Sequence, residues 1–118
     1  MLRWPSPVRV FLCLYPVDMR RSFDGLAAEA EHVMRQDPLS GHLFVFRGRR
    51  GDRIKALYWD RDGYALWYKR LEAGVVKFPE GTAAGREVSA AELACILEGL
   101  DLGQAKRRTR YARAEGLP

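Results

Sequence analysis

The chain has few of the residues that build metal or covalent catalytic sites. Its 118 residues include two cysteines, Cys13 and Cys95, and two histidines, His32 and His42. Neither histidine stands at metal-ligand spacing from the other or from a cysteine. No P-loop, nucleophile-elbow or paired-cysteine motif is present. The sequence therefore predicts no metal, no cofactor and no catalytic residue, and the two cysteines are interpreted as buried free thiols.

Long apolar runs are also absent. The longest is Val10–Tyr15, whereas a membrane-spanning helix needs about 18 residues. The N-terminus lacks the apolar length of a signal peptide and contains Pro5 and Pro7. Hydrophobic residues make up 47% of the chain and charged residues 30%. These features predict a single globular domain in the cytoplasm, with no membrane partner.

Hydrophobic periodicity and turn residues predict the order of elements in the first half of the chain. A strand is expected at Val8–Leu14, followed by a helix from an Asp18 N-cap to about Gln36. The apolar stripe of that helix comprises Met19, Phe23, Leu26, Ala30 and Val33. Alternate side chains of the next strand point to opposite faces of the sheet. Either Phe44 and Phe46 or Leu43 and Val45 are therefore expected to pack against this stripe.

Three further strands are predicted at His42–Arg47, Arg53–Trp59 and Tyr64–Leu71. The turns between them are the glycine-flanked residues 48–52 and the Asp-Gly hairpin of residues 60–63. A short fourth strand in this series is expected at Val75–Phe78, and residues 80–87 are expected to form a loop. Ser89 and Glu92 have capping-box spacing and predict a short second helix.

These elements predict an α+β fold with the order β-α-β-β-β(-β)-α. We expect a single domain over residues 1–103, with a mixed, mostly antiparallel sheet of four to five strands and both helices on one face. Residues 104–118 have no apolar stripe and are expected to form a basic, flexible tail.

The net charge of +5 is concentrated in two segments. Residues 47–70 carry eight basic and three acidic side chains, and residues 106–118 carry five and one. Guanidinium groups match phosphate oxygens, and a β-ribbon fits a DNA groove. The candidate DNA-contacting residues are Arg47, Arg49, Arg50, Arg53, Lys55, Lys69, Arg70, Lys106, Arg107, Arg108 and Arg110. The alternative for both segments is solvated charge that keeps the protein soluble.

The aromatic and acidic residues of the same segment admit two interpretations each. The aromatic residues, which could stack on exposed bases or pack in the core, are Tyr58, Trp59, Tyr64, Trp67 and Tyr68. Alternation predicts that either Trp67 or Tyr68 faces solvent. Turn chemistry accounts for Asp60 and Asp62, since Tyr64 and Leu71 occupy positions where a calcium loop needs oxygen ligands.

Three sequence words point to a family: DMRRSFDGL, DPLSGHLFVFRGRRGDRIKALYWDRDG and LWYKRLE. Together they resemble the TnpB accessory protein of bacterial insertion sequences of the sixty-six type, over about Val8 to Phe78. The resemblance implies a role in transposition of the element. It brings no catalytic residues with it.

Two functions follow as hypotheses. The first is a non-enzymatic accessory protein that binds DNA at the element ends through its basic hairpin and tail. The second is a protein-interaction module that docks on the transposase or a companion protein without contacting DNA. Because phosphate contacts weaken steeply with salt, a salt-dependent binding assay with and without transposase separates the two.

Overall fold

The computed structural model describes residues 8–101 and 106–107. Five strands form one mixed sheet: β1 (Val10–Cys13), β2 (Leu43–Arg47), β3 (Arg53–Asp60), β4 (Gly63–Arg70) and β5 (Gly85–Val88). Their order in the sheet is β4-β3-β2-β1-β5. The β1–β2 pair is parallel, and the other pairs are antiparallel. The predicted α+β class and mixed sheet are confirmed.

Two helices accompany the sheet. Helix α1 spans Phe23–Ala28 and continues as a π-helical segment, Glu29–Val33, while α2 spans Ala90–Glu98. A separate two-stranded ladder joins β6 (Leu100–Asp101) to β7 (Lys106–Arg107). No helix within the described residues is long and apolar enough to cross a membrane.

The helices lie on opposite faces of the sheet, so the prediction that both helices pack on one face was wrong. Leu26 and Ala30 of α1 pack on Phe44 and Phe46. Leu93 and Ile96 of α2 pack in the cluster that holds the other face of β1 and β2. The physical reason is that β1 and the first four residues of β2 are apolar throughout, and strands of that kind are covered on both faces.

The buried face of α1 differs from the predicted stripe. Phe23 and Val33 are 43% and 38% exposed, whereas Ala27 and Met34 are buried with Leu26 and Ala30. The predicted stripe assumes a regular α-helix, but the π-helical segment has a wider turn and shifts the phase of its later residues. Met34 therefore takes the inward position predicted for Val33.

Helix α1 also begins later than predicted, because Asp18 is not its cap. The Asp18 carboxylate instead accepts hydrogen bonds from the backbone N–H and the guanidinium of Arg20. The Nζ of Lys55 donates to the carbonyls of Met19 and Arg21 at 2.7 and 2.6 Å. The carbonyls of Met19 and Arg21 therefore accept hydrogen bonds from Lys55, and the helix begins after Ser22.

The last strand of the sheet lies outside the predicted position. Residues 75–78 form no strand, although Val76 and Phe78 are buried and the Val76 N–H donates to the Gly51 carbonyl. Strand β5, in a segment predicted largely as loop, pairs with the free side of β1. Its sequence GREV lacks the apolar alternation of a strand, so the pairing depends on the neighbour that β1 supplies.

The capping box at the start of α2 is confirmed. The Ser89 hydroxyl accepts from the Glu92 N–H and the Glu92 carboxylate accepts from the Ser89 N–H, both at 3.0 Å. Gly99 ends the helix in the left-handed conformation, with φ of +89°.

Ser89→Ala should lower the free energy of unfolding by about 1 kcal/mol, because one cap bond is lost. Urea denaturation followed by circular dichroism measures the change. Ser22→Ala is the matched control, since Ser22 precedes α1 without a side-chain cap bond. Equal losses in the two variants would contradict the role of the Ser89 cap.

Candidate nucleic-acid interface

The turn between β2 and β3 presents two arginines to solvent. Arg49 and Arg50 are exposed, and neither side chain has a hydrogen-bond or ion-pair partner among the described residues. Gly48 passes so close to Met19 that a Cβ would lie 2.7 Å from the Met19 Cγ. Gly51 has φ of +77°, which an L side chain rarely adopts. The two glycines therefore form the tight turn that presents the arginine pair.

Arg53 and Arg70 face each other across the β3–β4 ladder. Because the Leu71 N–H donates to the Asp52 carbonyl, the Arg53–Arg70 pair is a non-hydrogen-bonded one. Side chains are closest at such pairs, and their Cα atoms lie about 4.5 Å apart. Arg53 donates to the Tyr68 hydroxyl, and Arg70 pairs with Glu72. Two arginines are thus directly opposed on the α1 face, although the contact partners of their guanidinium groups differ.

Two further strand cations, Lys69 and Arg47, lie on the α2 face. Lys69 is exposed on β4, and alternation places it on the α2 face with its partner Ile54. Arg47 lies on that face as well: its guanidinium sits 5.1 Å from the centre of the Phe78 ring and donates to the Leu14 carbonyl at 3.4 Å.

Arg47 lines a surface depression of about 620 Å³. Tyr15, Phe78 and the segment from Pro79 to Thr82 also contribute to its wall. The buried Nε of Arg47 has no hydrogen-bond partner among the described residues. The Arg47 guanidinium is therefore partly enclosed against the protein, unlike those of Arg49 and Arg50.

Lys55 is the predicted site residue whose placement fits DNA contact least. Its side chain is 6% exposed. The ammonium group donates to two backbone carbonyls and lies 4.6 Å from the centre of the Tyr68 ring. Lys55 holds the segment before α1 against the sheet, and we leave it out of the proposed DNA-contacting residues.

The tail residues of the predicted site are only partly described. The backbone of Lys106 and Arg107 forms β7. Arg108 and Arg110 lie outside the described residues. Sequence reasoning also missed a cation. Lys77 is exposed and directly follows Val76, which is bonded to the turn residue Gly51. No local signal in the sequence places Lys77 beside that turn.

Six basic side chains lie at the end of the sheet that carries the 48–52 turn, and we call this end the basic end. It comprises Arg49, Arg50, Arg53, Lys69, Arg70 and Lys77. Arg20 and Arg21 lie on the segment that contacts Gly48 through Met19, but they form ion pairs with Asp18 and Glu29. Hydrogen bonds from Arg20 hold the pKa of the Asp18 carboxyl well below its usual range.

The opposite end of the sheet carries acidic groups. The hairpin turn between β3 and β4 exposes Asp60 and Asp62, with Arg61 in the left-handed conformation at φ of +59°. Burial raises the pKa of the Tyr64 hydroxyl, with smaller contributions from nearby carboxylates such as Asp24. Within residues 8–101 and 106–107, no three histidine, cysteine or acidic side chains are grouped as metal ligands.

Most of the five aromatic residues singled out from the sequence pack against the protein and do not project into solvent. Tyr58 and Trp67 pack against the cluster beneath α2, and Tyr64 packs against the one beneath α1. Trp59 makes an edge contact with Tyr64 at 5.1 Å between ring centroids. Tyr68 is 47% exposed, so the predicted alternation of Trp67 and Tyr68 is confirmed.

The two cysteines are free thiols. Cys13 is fully buried, and its Sγ donates to the Tyr15 carbonyl. Burial raises the pKa of the Cys13 thiol, which disfavours the reactive thiolate at neutral pH. Cys95 is half-buried on α2.

Comparison with known proteins gives a family match. The model of the family described as IS66 Orf2 like protein matches residues 8–107. Two proteins of Sinorhizobium fredii are also similar to the chain. The protein y4jC is 37% identical over 101 residues, which cover 86% of each chain. The protein y4hO is 38% identical over 101 residues, covering 86% of this chain and 88% of its own. No solved structure matches.

Proposed function

Because this chain belongs to the family of IS66 Orf2 like proteins, we propose that it assists transposition by binding element-end DNA through the basic end of its sheet. Family membership supports the role of a transposition accessory protein. The DNA contact is the specific part of this proposal, and it assigns no catalytic step to the chain.

The observation that carries the proposal is the arginine pair Arg53 and Arg70. Like charges directly opposite each other on one face of a sheet destabilise it. The Glu72 carboxylate already pairs with Arg70, and an anion beside Arg53 would relieve the remaining repulsion. A DNA phosphate suits this position, since it accepts hydrogen bonds from a planar guanidinium fork.

The neighbouring cations lie at the same end of the sheet, on both of its faces. Arg49 and Arg50 lie beyond the strand ends in the turn, and Lys69 and Lys77 add charge at the same end of the sheet. Tyr68, exposed beside Arg53, offers a ring on which an unpaired base can stack. Together these groups suit binding to the DNA backbone with little dependence on sequence.

The proposal is tested with a double variant, Arg49→Ala with Arg50→Ala. Binding to element-end duplex DNA is measured by fluorescence anisotropy over a range of salt concentrations. Loss of two phosphate contacts should weaken binding to every duplex and reduce the slope of log affinity against log salt by about 1.8. Both residues are exposed in a turn, so stability should change by less than about 0.5 kcal/mol each.

The matched control removes two charges from elsewhere on the surface, through Arg61→Asn with Arg86→Ala. Asparagine is used at position 61 because it tolerates a positive φ. The salt slope of this control should equal that of the unaltered protein. The proposal fails if Arg49 and Arg50 can be replaced without loss of affinity, or if both double variants lose it equally. Assays with added transposase then test the docking alternative.

A further inference from the structure

The two edges of the sheet differ in length and charge. Strand β5 has four residues and includes Arg86 and Glu87. Strand β4 has eight residues, of which the five from Tyr64 to Tyr68 are uncharged, while its two charged residues, Lys69 and Arg70, lie at its end. Short or charged edge strands resist pairing with another chain, whereas long apolar ones promote it. Within the part of the chain that the structure describes, no strand pairs with the outer side of β4.

The β3–β4 ladder determines which backbone groups of β4 point outward. The Asp52–Leu71 pair is hydrogen-bonded, and such pairs alternate with non-hydrogen-bonded ones along an antiparallel ladder. The β4 residues whose backbone groups face β3 are therefore Gly63, Ala65, Trp67 and Lys69. Those whose N–H and C=O groups point away from the sheet are Tyr64, Leu66, Tyr68 and Arg70.

We propose that β4 pairs with β4 of a second copy of this chain. The two strands run antiparallel about a two-fold axis at Trp67, which joins two five-stranded sheets into one of ten strands. In this register Tyr64 faces Arg70 of the other copy, and Leu66 faces Tyr68. It is the one two-fold register that pairs all four outward residues of both strands with each other, forming about eight hydrogen bonds.

The side chains suit the same register. Trp67 meets its own counterpart at the centre, where aromatic residues contribute most to interfaces. Lys69 faces Ala65, so no like charges are opposed across the axis. Arg70 lies opposite Tyr64, which carries no charge. The two-fold axis also places the two basic ends at opposite ends of the joined sheet, which keeps their charges apart.

Sedimentation equilibrium of the full chain tests the association. We expect a mass twice that of one chain, falling towards the single-chain value on dilution. Amide hydrogen exchange tests the register. Protection at Tyr64, Leu66, Tyr68 and Arg70 should fall on dilution, while that at Ala65, Trp67 and Lys69 should not. A single-chain mass at every concentration, or no alternation in the exchange, overturns the proposal.

A charge swap tests the contact between Ala65 and Lys69. Ala65→Lys opposes two lysines, and the pair occurs twice by symmetry, so the dimer dissociation constant should rise about tenfold. Ala65→Glu is the matched control, since it adds a long polar side chain of opposite charge and should not raise that constant. Adding Lys69→Glu to Ala65→Lys should restore association. Equal weakening by Ala65→Lys and Ala65→Glu overturns the proposed register.

Discussion

Replacing Phe44 with alanine should lower the free energy of unfolding by about 3–5 kcal/mol. Phe44 lies in the middle strand of the sheet with no exposed surface, and its ring stacks on Phe11 at 5.8 Å between centroids. The substitution leaves a cavity beneath α1, and the neighbouring strands prevent the site from collapsing. Because small domains are stable by about 5–15 kcal/mol, urea denaturation should show a large shift.

Phe23→Ala is the control for this experiment, because it makes the same chemical change at the exposed start of α1. Its cost should be below about 1 kcal/mol, well short of the cost at Phe44. If the two variants lost equal stability, the assignment of the buried face of α1 would be wrong.

Replacing Lys55 with methionine should lower the free energy of unfolding by about 2–3 kcal/mol. Methionine retains the length and apolar stem of lysine but cannot donate to the carbonyls of Met19 and Arg21. Hydrogen bonds from a charged donor contribute about 1.5–3 kcal/mol. The substitution also removes the ammonium from the face of the Tyr68 ring. Urea denaturation at neutral pH measures the loss.

Lys69→Met is the matched control, since Lys69 belongs to the same hairpin but is exposed. Its effect on stability should be within about 0.5 kcal/mol. Similar losses in the two variants would mean that the Lys55 ammonium does not stabilise the segment before α1.

Features that depend on local chemistry could be predicted from the sequence. The hairpin at residues 60–63, the turn at 48–52 and the capping box at Ser89 form where their residues indicate. Each depends on contacts within a few positions, such as the two bonds between Ser89 and Glu92. The three sequence words that resemble the family can also be recognised from contiguous residues, and the family match over residues 8–107 agrees with them.

Features that depend on distant neighbours could not be predicted in this way. The buried face of α1 differs from the stripe because the π-helical segment changes the phase between Ala30 and Met34. Strand β5 has little strand propensity of its own and forms because β1 has an open side. The segment at 75–78 has strand propensity but lies against the 48–52 turn, where it finds no strand partner.

The candidate site shows the same division between sequence and tertiary structure. The sequence by itself placed Arg49 and Arg50 in an exposed turn, since the glycines that flank them determine the local backbone. It could not distinguish Lys55 from Lys69, because both lie on strands of one hairpin. Only the tertiary structure decided that the Met19–Arg21 segment covers Lys55 and that Lys77 comes beside the turn. The reason is physical: the burial of a charge depends on which distant backbone supplies its hydrogen-bond acceptors.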